Sequence, residues 1–168
     1  MKKFVVFLIV GLLASSAAWG ATISINATVT SIMDVSVDQP TWPITVNNDG
    51  VAIENDPQGV LTVKSSKRNY TVTFISSHNG SLLINDGGTE TIPYQVKVVC
   101  TDTAWTGVAE NNLSGYTTLT TAGVTIVFNK RTPVAGKTFN IGFNIPAYTE
   151  YYVDGTYTDT ITISIAQS

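Results

Sequence analysis

The side chains able to do chemistry are few in this 168-residue chain: one cysteine, Cys100, one histidine, His78, and twelve scattered carboxylates. Catalysis needs convergent groups of tuned proton affinity, and a lone thiol and a lone imidazole in separate segments do not supply them. Cys100 closes the run YQVKVVC in phase with Tyr94, Val96 and Val98, which reads as a small apolar strand residue. With no second cysteine, an intramolecular disulfide is impossible. His78 lies in the turn-like SHNG. Asp49, Glu54 and Asp56, in NNDGVAIENDPQG (47–59), are the nearest approach to a calcium set. They miss the Asp-x-Asp-x-Asp-Gly spacing, and turn chemistry explains the same residues. Zinc lacks ligands, and no carboxylate pair is singled out for glycoside hydrolysis. The expectation is a protein that is not an enzyme and holds no metal or cofactor. Asn26, Asn69, Asn79 and Asn112 head Asn-x-Ser/Thr sequons, of consequence only in a host that glycosylates exported chains.

Charge narrows the partners further. Lys2 and Lys3 precede an apolar run from Phe4 to Ala14 and the small-residue stretch SSAAWG, the pattern of a secretory signal peptide over residues 1–20. The run is too short to span a bilayer. Subtracting those two lysines from nine leaves seven Lys and Arg against twelve Asp and Glu, a net charge of −5 beyond residue 20. Without a basic patch, nucleic acid is not an expected partner.

The elements that must position these residues read as strand after strand. Period-two alternation recurs between turn residues, and no apolar stripe holds a 3.6-residue period for three turns. Odd positions from Ile23 to Val37 are nearly all apolar, which predicts a long strand bent near Ser31. TWPITV (41–46) carries Pro43 and reads as a short or edge strand. NNDG and NDPQG read as turns. VLTVKS, RNYTVTFISS, SLLIN, TIPYQVKVVC, GVTIVFN, TFNIGFNI and TYTDTITISI read as strands, with an irregular segment at 101–122 and a short strand near 115–120. About nine short strands in one domain predict an all-β, immunoglobulin-like β-sandwich.

The two ends pose a shared problem. In TITISIAQS, Ile161, Ile163 and Ile165 alternate with Thr and Ser and end almost at the terminus. An unpaired strand of this kind would be an aggregation site, and it carries no Lys or Pro to blunt it. Beyond the predicted leader, ATISINATV begins at once with Ile23, Ile25, Ala27 and Val29 alternating with polar residues. Such an arm pairs within its own domain or completes another molecule's sheet by strand addition.

These ends resemble those of chaperone–usher fimbrial (pilus) subunits. Gly155, fourteen residues from the C-terminus in GTYTDTITISIAQS, occupies the place of that family's glycine, and ATISINATV matches its N-terminal extension in character. Two features depart from the family: Gln167 stands where many members have a penultimate aromatic, and Cys100 is unpaired. The resemblance therefore points to a cysteine-poor branch, or to another strand-exchanging filament family. It implies a donor extension over 21–31 and a sandwich domain over 32–168 that lacks one strand. Ile23, Ile25, Ala27 and Val29 would be the donor plugs. Gly155, Tyr157, Ile161, Ile163 and Ile165 would belong to the C-terminal strand of the acceptor groove, to which Phe139, Ile141, Phe143 and Ile145 are further candidates. The implied partners are identical subunits, a periplasmic chaperone and an outer-membrane usher, and the implied location is a surface filament reached through the periplasm. The competing expectation is a monomeric, secreted carbohydrate-binding or adhesion module, with Trp42, Trp105, Tyr116 and Tyr148 as stacking surfaces.

Overall fold

The computed structural model describes residues 24–168. The predicted leader and Ile23 lie outside the described residues. Eleven strands and no helix make up the regular structure there: β1 (Met33–Val37), β2 (Ile53–Ser65), β3 (Tyr70–Ser76), β4 (Ser81–Ile84), β5 (Thr91–Pro93), β6 (Gln95–Cys100), β7 (Val108–Asn111), β8 (Val124–Phe128), β9 (Lys137–Ile145), β10 (Tyr157–Thr158) and β11 (Ile161–Gln167). The all-β expectation holds.

All pairings are antiparallel. One sheet runs β1-β2-β9-β6, a second β11-β3-β8-β7, and a small third sheet β10-β4-β5. The two four-stranded sheets bury their alternating apolar faces in a common core, an arrangement consistent with a β-sandwich. Leu61, Val63, Phe139 and Ile141 come from one face, and Tyr70, Val72, Phe74, Ile126 and Phe128 from the other. Phe128 packs edge-on to Phe139 across that core, with ring centroids 5.7 Å apart, and stacks on Tyr70 at 4.6 Å.

Several sequence expectations need correction. The first strand is short: β1 starts at Met33, and residues 24–31 join no ladder. Residues 41–46 are not a strand, although Trp42, Ile44 and Val46 are half-buried in alternation, because Pro40 and Pro43 deprive that stretch of donors. NDPQG is not a turn between elements; it lies within β2 as an irregularity, the register against β9 shifting between Asn55 and Gly59. TIPYQVKVVC divides at Tyr94, whose amide bonds the Gly80 carbonyl, so β5 joins the small sheet and β6 a large one. In the irregular segment the strand is β7 at Val108–Asn111, while 115–120 contributes only a bridge between Thr117 and Val96.

The final run, TYTDTITISI, also breaks in two. β10 pairs with β4 through Tyr157 and Thr158, whereas β11 pairs with β3 from Ile161 to Gln167. Asp159 stands at the break with its side chain 2% exposed. Its Oδ2 accepts from Ser76 Oγ at 2.6 Å and Tyr94 Oη at 2.5 Å, and its Oδ1 accepts from the Thr160 amide at 2.7 Å. His78 Nδ1 lies 3.1 Å from Oδ1. A carboxylate held by this many donors can be buried, and it draws the chain from one sheet into the next.

Candidate assembly groove

β1 and β11 are edge strands of different sheets, and they run side by side. Their directions follow from register. Met33 pairs with Ser65 and Gln167 with Tyr70, and residues 66–69 join Ser65 to Tyr70, so Met33 and Gln167 sit at the same end. β1 and β11 are therefore antiparallel neighbours, yet no ladder joins them among the described residues. Their Cα atoms approach within 8 Å, a separation at which a third strand does not fit between them without parting the edges.

Beyond Val37 the two edges diverge around a cavity of about 410 Å³. One wall is Val37 with Trp42 and Ile44 of the strand-like segment 39–46; the other is Tyr157, Thr158, Asp159, Ile161 and Ile163. Phe74, Leu82, Tyr94, Val96, Ile141 and Phe143 form the floor. Trp42 of the wall meets Phe143 of the floor edge-on at 6.0 Å, and Tyr94 stacks on Phe143 at 5.4 Å, so three aromatic rings run in contact from wall to floor. A second space of about 310 Å³ continues the groove past Ile44, Leu82 and Tyr157 to Gly155. Burial raises the Tyr94 hydroxyl well above its ordinary pKa, with the hydrogen bond to Asp159 adding to the effect, so Tyr94 stays a donor across the physiological range.

The acceptor residues expected from the sequence are thus brought together in part. Tyr157, Ile161 and Ile163 line the cavity, and Ile165 packs half-buried against the core beyond its narrow end. Gly155 sits before β10, in the continuation of the groove rather than on β11. A Cβ there would come within 2.9 Å of Ile84 Cδ1, so a larger residue would have to displace the Ile84 side chain. Ile141 and Phe143 reach the floor, while Phe139 and Ile145 are ordinary core. The wall formed by 37–46 was missed; its signal was the alternation of Trp42, Ile44 and Val46, which a proline-bearing stretch does not reveal as a groove edge.

At the other end of the chain, residues 24–31 are all exposed, with Ile25 at 87% and Val29 at 88%, and Ala27 exposed beside them. The arm leaves the body at the Met33–Gln167 end. There the Ser66 amide bonds the Ile32 carbonyl at 2.9 Å, and the Ile32 amide donates to Ser66 Oγ at 2.9 Å, which points the chain onward past the end of the sheet.

The remaining candidates are dispersed. Cys100 is half-buried, its Sγ donating to the Asp102 carbonyl. Asp49 caps the Val51 amide, Glu54 accepts from Tyr116 Oη, and Asp56 pairs with Lys97 at 2.6 Å, so each has its own partner. The four aromatics proposed as a stacking surface do not share one face: Trp42 packs on Phe143, Trp105 on Phe128 and Phe139, Tyr116 lies under Lys97, and Tyr148 meets Tyr152. A scan against protein-family models finds no match to this chain, and a search of curated proteins finds none either.

Proposed function

We propose that this chain is the structural subunit of a secreted surface filament, each copy lending its leading segment to the groove of the next. The reading is carried by one juxtaposition: residues 24–31 of an apolar-alternating arm without charged side chains are exposed on a body whose two sheet edges flank an apolar groove. In this proposal the sandwich is immunoglobulin-like and complete only when a neighbour's residues 21–31 join it, with Ile23, Ile25, Ala27 and Val29 as plugs. Ile23 to Val29 spans six residue steps, about 20 Å of extended chain, and β11 offers the same seven residues of edge.

The energetics support insertion over exposure. Each large aliphatic moved from water into the groove contributes about 1.5–3 kcal/mol, and each main-chain hydrogen bond about 0.5–1.5 kcal/mol. These gains oppose the ordering of a short arm and the parting of β1 from β11. Because donor and acceptor are different surfaces, the contact propagates head to tail as an open fibre. The edges approach each other in the lone body, so a periplasmic chaperone that holds the groove open, followed by hand-over at an outer-membrane usher, fits the same chemistry.

Deletion of residues 21–30 tests the proposal. The truncated protein should fold, remain monomeric or chaperone-bound, and show no fibres by electron microscopy. Fibres from the truncated protein would remove the arm as connector. Binding of the monomer to a glycan array would favour the adhesion-module alternative.

A further inference from the structure

The formal charges of the body are sorted along the groove. At the Met33–Gln167 end, where the arm departs, lie Lys64, Lys67 and Arg68 on or beside the turn from β2 to β3, and Lys130 and Arg131 in the loop from β8 to β9. The two are neighbours, since the Thr132 amide bonds the Ser65 carbonyl at 3.0 Å. Of the acids at this end, Asp34 faces Lys64 in the β1–β2 register, Asp102 is taken by Lys137, and Glu110 is exposed on β7 beside Val127, leaving the cations in excess. None of the five cations has an ion-pair partner among the described residues.

The opposite end is acidic. Asp49, Asp86, Glu90, Glu150 and Asp154 are all exposed on the loops 46–52, 85–90 and 146–156. Those loops form one cluster: Asn48 and Tyr152 exchange hydrogen bonds of 2.7 and 2.9 Å, and the Asn85 amide bonds the Thr156 carbonyl at 2.9 Å. No Lys or Arg occurs in these loops, and residues 21–31 carry no charged side chain.

Resting on the filament reading above, we infer that the junction between consecutive subunits is charge-matched, the basic end of the donor body meeting the acidic end of the acceptor. The occupant is a second copy of this chain, and the matching selects its orientation. If the arm lies antiparallel to β11, its C-terminal end emerges at Ile161, and the donor body's basic end is delivered to the acceptor's acidic loops. If it lies parallel, the arm emerges at Gln167 and sets basic end against basic end. Opposite charges draw bodies together and orient the encounter, whereas like charges repel. The arm supplies the hold, and the bodies supply polarity and rate.

Elongation of the full chain from preformed seeds, followed by light scattering from about 0.02 to about 0.5 M salt, tests this. The double reversal Lys67→Glu with Arg68→Glu should slow elongation about tenfold at low salt and little at high salt. Adding Asp86→Lys and Glu90→Lys in the same chain should restore most of the rate. All four positions lie in turns or loops, and melting curves of the monomers verify folding. In a Cys100→Ser background, Arg68→Cys with Glu90→Cys should be joined between subunits by a short bis-maleimide. Arg68→Cys alone should not be. Salt-independent elongation with parental rates for the reversed chain, or self-linking through Arg68→Cys alone, overturns the inference. If deletion of residues 21–30 abolishes fibres in the same assay, the donor-arm reading survives that failure; if the deletion still grows fibres, that reading falls first.

Discussion

Tyr94 donates its hydroxyl to the Asp159 carboxylate across 2.5 Å, tying the junction of β5 and β6 to the junction of β10 and β11. Two residues 65 positions apart thereby fix the floor and one wall of the groove. Ser76 completes the tie, since its Oγ also accepts from the Gly80 amide at 2.7 Å.

Asp159→Ala should destabilise the body by about 2–4 kcal/mol, because the Ser76 and Tyr94 hydroxyls lose a buried acceptor together. Tyr94→Phe should cost less, about 1–2 kcal/mol, since the carboxylate keeps its other donors. Urea denaturation of the monomer measures both, and equal costs would argue against a shared network.

Ile25→Asp should leave monomer stability unchanged to within about 0.5 kcal/mol, since Ile25 is 87% exposed and contributes nothing to the core. The same change should abolish fibre growth by placing a charge in an apolar site. Paired melting and polymerisation assays separate the effects, and parental polymerisation by the variant would exclude Ile25 as a plug.

A synthetic peptide of residues 21–31 should raise the melting temperature of the arm-deleted body in a concentration-dependent way. Binding to the native state alone stabilises by mass action, about 2.7 kcal/mol at a hundredfold excess over Kd. An Ile163→Asp body should show no such rise, because Ile163 lines the groove. Calorimetry with no peptide response in the parental body would mean the groove does not accept the arm.

Tyr70 is completely buried, and its hydroxyl has no hydrogen-bond partner among the described residues. Burial raises its pKa from 10.0 to about 12. A raised pKa means that the stability it confers is complete below the unfolded value near 10 and is lost as pH climbs toward 12. Stability should therefore fall above pH 10, with Tyr94 acting in the same direction. Tyr70→Phe should gain about 1 kcal/mol at neutral pH by removing the orphaned hydroxyl and should flatten part of the alkaline decline. Denaturation midpoints across pH 8–12 provide the check.

Sequence alone determined what alternation can encode. Val72, Phe74, Ile126, Ile141 and Phe143 are buried as their period-two phase requires, and Ile161, Ile163 and Ile165 share one half-buried face. That phase is a local property of extended backbone, so the all-β class and several strands were legible before any contact was known. Long-range pairing was not. TYTDTITISI keeps one phase throughout, and only the buried Asp159, meeting Ser76, Tyr94 and His78 from distant segments, divides it between two sheets. Ile23 to Val37 likewise keeps one phase, but among the described residues a ladder forms only from Met33, where β2 supplies partners. The groove wall at Trp42 and the sorting of cations from carboxylates are decided by which loops share an end of the sheets. Those neighbours lie tens of residues apart, where periodicity carries no information.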